Sequence, residues 1–196
     1  MAGDLERRVV GNAWDLARVA LARNVLLQTL STDPRVQAVF RDWWNRRGFD
    51  RPITTVDAFR VAVLKDTAAD LDRLDRLVRD DLGLDYPWLP AHLLTDFRLV
   101  TLDPTARALI VPPDDLTGID VGRAPKRGAV QHEDIPRNVE WFYRARIKDP
   151  RENVTAIAAE YARKARRRTD ARSVVQAGIK RAETLLACVD PPDPTI

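Results

Sequence analysis

Arg172, Ser173, Gln176 and Lys180 are spaced so that a helix presents them on one outward side. Their chemistry suits a nucleic-acid duplex. An Arg can bond a guanine edge bidentately, a Gln an adenine edge, and a Ser hydroxyl either partner of a base pair. These four are the candidates for reading bases. Just before them, Arg163, Lys164, Arg166, Arg167 and Arg168 place five basic side chains within six positions. Such a run displaces counterions from several phosphates at once, and Arg181 joins it as a phosphate candidate. The plain alternative is a solvated basic helix face.

Other residue groups could do chemistry with less support. Asp66 and Asp70 stand four apart and could form an acid–base or metal pair, but no histidine accompanies them, and exposed helix carboxylates are common. Trp43-Trp44, followed by Asn45, Arg46 and Arg47, could stack on bases. Adjacent residues on a helix point about 100° apart, so one Trp is expected in the core and the other at an interface or partly covered. His92 reads as structural. Cys188 stands alone, and His92 and His132 are too far apart for a zinc framework, so neither a disulfide nor a metal site is expected. There is no phosphate-binding loop, dinucleotide glycine pattern or nucleophile elbow. No catalytic residue, cofactor or small-molecule substrate is expected.

Charge sharpens the picture. The 196 residues carry 32 Lys+Arg against 29 Asp+Glu, with 45% apolar and 31% charged residues. That composition supports a folded core. No stretch is apolar enough to span a membrane. Met1–Arg8 leads into an amphipathic segment and not an apolar one, so a cytoplasmic protein is expected. Residues 1–111 balance 16 basic against 16 acidic side chains, whereas residues 135–187 hold 13 basic and 6 acidic. A basic domain is the electrostatic footprint of a polyanion binder.

The elements that must position these groups are mostly helical. Residues 4–30 carry an apolar stripe through Val9, Val10, Ala13, Trp14, Ala17, Leu21 and Leu26. Asp33-Pro34 caps a second helix, which Gly48 stops. A third, of about 40 Å at ~1.5 Å per residue, is expected over 56–82, capped by Thr54 or Thr55 and stopped by Gly83; it is longer than a small domain needs, which points either to a break near Thr67 or to a dimer contact. Phe97–Leu102 and Arg107–Val111 flank Asp103-Pro104 and read as a β-hairpin. Residues 112–134, rich in Pro and Gly, read as a linker. Beyond it, Asp134 is expected to cap a helix over 135–148 with Ile135, Val139, Phe142 and Ile147 inward. Asp149-Pro150-Arg151-Glu152 reads as a capping box opening a second helix, and Thr169 or Asp170 opens a third over 171–187. The third helix has Val175, Ile179, Ala182 and Leu186 on its apolar side. Residues 188–196 form a Pro-rich tail.

The expected architecture is therefore mainly α. A helical domain over 1–111 ends in a hairpin, the linker follows, and a trihelical helix-turn-helix module occupies 135–187. Ile157-Ala158-Ala159-Glu160-Tyr161, with Val175, Ile179-Lys180-Arg181-Ala182 and Leu186, resembles the helix-turn-helix of sigma-factor-type promoter-reading domains. The resemblance covers the C-terminal quarter. It implies that Gln176, Ala177, Lys180 and Arg181 belong to the surface that faces DNA. The turn departs from the pattern, because Arg163–Asp170 adds about two helical turns of basic sequence. The expected function is a non-enzymatic double-stranded-DNA-binding protein, a transcriptional regulator or a mobile-element or phage-type factor, with a homodimer formed through the N-terminal helical domain. The competing reading is a helical assembly protein whose basic module docks on an acidic protein.

Overall fold

The computed structural model describes residues 13–49, 51–55, 66–101, 134–165 and 170–188. Among them the protein is mainly helical, with no strand. The chain divides into two compact units. One joins Met1–Thr29 to Val121–Ile196, and the other is Leu30–Asp120. The described residues 13–29 thus group with the C-terminal helices.

In the Leu30–Asp120 unit, helix α2 (Pro34–Arg46) begins as its sequence predicts. Asp33 is 1% exposed and accepts from Arg35 N at 2.9 Å, and Pro34, whose missing N–H costs nothing in a first turn, follows it. Gly48 adopts φ 68° and ends the helix. Helix α3 (Thr67–Arg76) starts where the long 56–82 stretch offers a break. Asp66 takes a left-handed φ of 55°, so the chain turns there and does not run helically into Thr67. A π-helical turn, Leu77–Asp81, continues α3 and stops before Gly83 at φ 68°. The 56–82 stretch is therefore not one continuous helix, and residues 56–65 lie outside the described ones.

Helix α4 (Leu89–Val100) replaces the first arm of the expected hairpin. Leu89, Leu93, Leu94 and Phe97 are buried at a 3.6-residue period, and packing against α3 outweighs the β-type residues at its end. Thr101 is paired through its carbonyl to Ile53 N at 2.7 Å. The second arm, Arg107–Val111, and the expected linker up to residue 133 lie outside the described residues.

In the other unit, helix α1 (Ala13–Leu30) buries Val19, Ala22, Leu26 and Leu27, with Ala17 and Leu21 only half-buried. The buried side is therefore rotated from the expected one. Arg23 is 7% exposed and donates to the Cys188 carbonyl at 2.7 Å, which ties α1 to the end of the last helix. Residues 4–12 of the expected first helix and the tail beyond 188 lie outside the described residues. Helix α5 (Asp134–Phe142), extended by a π-helical turn (Tyr143–Ile147), buries the expected Ile135, Val139, Phe142 and Ile147. Asp134 lies within its first turn and pairs with Arg137 at 2.5 Å.

Helix α6 (Val154–Ala165) starts later than the expected capping box. Glu152 does not fold back onto the backbone, because Arg144 and Lys148 take its carboxylate. Asn153 supplies the cap instead, its Oδ1 accepting from Thr155 N at 2.8 Å. Helix α7 (Ala171–Leu186) opens at Asp170 as expected, whose Oδ1 accepts from Arg172 N at 3.2 Å and Ser173 N at 3.3 Å.

Candidate nucleic-acid interface

Helix α7 packs against both α5 and α6. Its buried residues are Val175, Gly178, Ile179, Ala182 and Leu186. That arc fixes which residues point away. Ser173, Ala177, Lys180 and Thr184 form the outer ridge, with Arg172 and Gln176 on one flank and Arg181 on the other, all exposed. The close fit to α5 depends on Gly178. A Cβ built there would meet Asn138 Oδ1 at 2.6 Å and two Trp141 ring carbons at 2.8 Å. Trp141 in turn meets Tyr161 of α6 edge-on at 5.0 Å, and Arg137 lies 5.0 Å over the Trp141 ring. The three helices are thus locked around one aromatic junction.

A second junction is ionic. Arg144, at the end of α5, donates to Glu152 at 2.6 Å and to Glu160 of α6 at 2.5 Å. Lys148 shares Glu152 and Lys164 shares Glu160. Hydrogen bonds from Arg144 and Lys148 hold Glu152 below the ordinary carboxylate range. Those from Lys164 and Arg144 pull Glu160 from 4.5 down to about 2. Hydrogen bonding to Glu152 raises Arg144 against the opposing effect of burial. The carboxylates are depressed in the folded chain, so their contribution is present above the unfolded value near 4.5 and is lost as pH falls toward about 2. Arg144→Gln should therefore flatten the acid limb of a stability–pH curve over that interval. An unchanged limb, followed by helical circular dichroism, would show that the network does not support folding.

These pairs sort the basic residues. Arg137, Arg144, Arg146, Lys148 and Lys164 each face a carboxylate. Of the residues singled out from the sequence, Lys164 is therefore already engaged. Arg163, Arg172, Lys180 and Arg181 are exposed and meet no carboxylate among the described residues. Ser173 is exposed, but its hydroxyl donates to the Asp170 carbonyl at 3.0 Å, which leaves it free mainly as an acceptor. Gln176 is exposed. Arg166, Arg167 and Arg168 lie outside the described residues.

Arg151 was not singled out. It is exposed in the turn before α6 and meets no carboxylate among the described residues. Its signal in the sequence was its place beside Glu152, which the capping-box reading absorbed.

The weaker candidates resolve structurally. Trp43 is 2% exposed and Trp44 half-buried, packed with Phe40 and Phe49. Asp70 is buried and bonded to Trp43, whereas Asp66 is exposed, so the two do not form a paired site. His92 Nδ1 lies 2.8 Å from the Trp88 carbonyl one turn back. Among the described residues, no cluster of His, Cys, Asp or Glu could hold a metal ion. No described helix is long and apolar enough to cross a membrane. No family model, curated protein or solved structure matches the chain.

Proposed function

We propose that the chain is a non-enzymatic protein that binds double-stranded DNA, a transcriptional regulator or a mobile-element or phage-type factor. Helices α6 and α7 act as a helix-turn-helix, with α7 in the major groove and the basic segment before it on phosphates. The observation that carries this reading is the sorting of charge. Most acidic side chains of the C-terminal helices are paired with cations of α5, of the turn before α6 and of α6 itself, while Arg172, Lys180 and Arg181, exposed along α7, meet no carboxylate among the described residues. A surface built this way offers a polyanion strong attraction and little repulsion. The likeness of the α6–α7 sequence to sigma-factor-type promoter-reading modules supports the same conclusion.

Fluorescence anisotropy of the full chain with a mixed-sequence duplex, across a range of salt, tests it. Affinity should fall steeply with salt. Changing Arg166, Arg167 and Arg168 together to Ala should weaken every duplex alike and flatten the log–log salt slope by roughly 0.9 per lost contact. Equal affinity for the duplex and for an acidic polypeptide such as polyglutamate would favour docking on an acidic protein instead.

A further inference from the structure

Resting on the duplex-DNA reading, we propose that α7 is gripped from both sides, Arg172 meeting a phosphate of one strand and Arg181 a phosphate of the other. Ser173, Ala177 and Lys180 are then turned to the base edges between them.

The placement follows from helix geometry and burial. Nine residues at about 100° each carry Arg181 roughly 180° round the helix from Arg172. Arg172 lies about 20° round from Ile179, and Arg181 about 60° round from Gly178. Ile179 and Gly178 are both buried, so the two arginines leave the helix at its flanks and not along its outer ridge. Both side chains are exposed and meet no carboxylate among the described residues. An α-helix with its side chains is about 10–12 Å across, and the major groove is about 12 Å wide. A helix lying in that groove has a phosphate wall along each flank and base edges under its outer ridge. Long cationic side chains on opposite flanks match those two walls.

The chemistry of the outer ridge fits the floor of the groove. Ala177 offers a methyl group suited to the thymine methyl, and Lys180 can donate to guanine. Ser173 keeps its lone pairs for a base amino group, because its proton is committed to the Asp170 carbonyl. Glu183 shares a flank with Arg172 and would repel a phosphate, but Arg146 holds its carboxylate at 3.0 Å. The sequence reading placed Arg172 on base edges. Its position near the buried arc moves it to the wall.

The test compares two duplexes of one mixed sequence. One carries phosphates throughout, and the other has neutral methylphosphonate linkages along one strand. Salt slopes are measured by anisotropy for the full chain, Arg172→Ala and Arg181→Ala. If the arginines grip opposite strands, the unaltered chain must lose one of them on the half-neutral duplex in either orientation. Its slope should then flatten by about 0.9 more than that of either variant, each of which can turn its remaining arginine to the charged strand. Equal flattening in all three proteins, or variants that keep the full slope on the all-phosphate duplex, would overturn the two-strand grip and leave DNA binding standing. No binding to the all-phosphate duplex would overturn the DNA reading and the grip together.

Discussion

Asp70→Ala is expected to cost the Leu30–Asp120 unit about 3–5 kcal/mol, because it removes a buried carboxylate that both pairs with Arg47 and accepts from Trp43. The Asp70 side chain is 2% exposed. It accepts from the Trp43 indole at 3.0 Å and is ion-paired to Arg47, itself only 10% exposed. Arg98 adds to the load. Burial pulls its guanidinium below the ordinary value, Asp70 opposes that shift and Arg47 adds to it. Its Nε is buried with no hydrogen-bond partner among the described residues. Removing the carboxylate therefore strands the Trp43 indole N–H and takes away the negative charge that offsets the mutual repulsion of Arg47 and Arg98. Asp70→Asn keeps an acceptor for Trp43 but not the charge, and should fall between the alanine variant and the unaltered chain. Asp42 provides the contrast. It pairs with Arg46 and Arg73, but all three side chains are more than 40% exposed, so Asp42→Ala should cost under about 1 kcal/mol. Urea midpoints followed by tryptophan emission separate the two sites. An Asp70→Ala midpoint no lower than that of Asp42→Ala would contradict the buried-charge account.

The difference between those aspartates was not visible in the sequence. Asp66 and Asp70 looked like one exposed helical pair, since a four-residue spacing says nothing of what packs against it. Asp70 is buried because Trp43 and Arg47, at the end of another helix, reach it across 27 and 23 positions of chain. Local signals fared better where the interaction itself is local. Asp33-Pro34, Gly48 and Asp170 marked the helix ends at which they stand. Glu152 misled because its partner Arg144 lies eight positions back and competes with the backbone for its carboxylate. Phe97 misled because its β-type side chain completes a helical stripe begun at Leu89, while Val100 stands exposed at the helix end. The candidate interface divides along the same line. Spacing placed Arg172, Ser173, Gln176 and Lys180 on the open side of α7, but it did not separate flank from ridge. Lys164 was readable in principle, since Glu160 stands four residues before it, the stabilising order for a helical ion pair.

The fit of α7 to α5 supports the second large expectation. Gly178→Ala should destabilise the C-terminal helices by about 1–2 kcal/mol, even though alanine is the better helix former by roughly 1 kcal/mol. Overpacking wins because the atoms in the way are not flexible ends. Asn138 and Trp141 are each 4% exposed, and both stand on α5. At 2.6 and 2.8 Å the added methyl cannot be accommodated unless the helices part. Parting them also disturbs Trp141 against Tyr161, and with it the junction to α6. On the proposed duplex-DNA reading, the loss should appear in DNA affinity as well as in stability, although Gly178 faces away from the outer ridge. Space made on α5 separates this account from a purely local backbone effect. Asn138→Ala alone should destabilise, since it opens a gap beside Gly178, but combined with Gly178→Ala it should recover part of the loss. A double-mutant cycle would then show a coupling of about 0.5–3 kcal/mol. If the two changes add without coupling, the helix crossing does not depend on close approach at Gly178, and the outer face of α7 is set by its contacts with α6 instead.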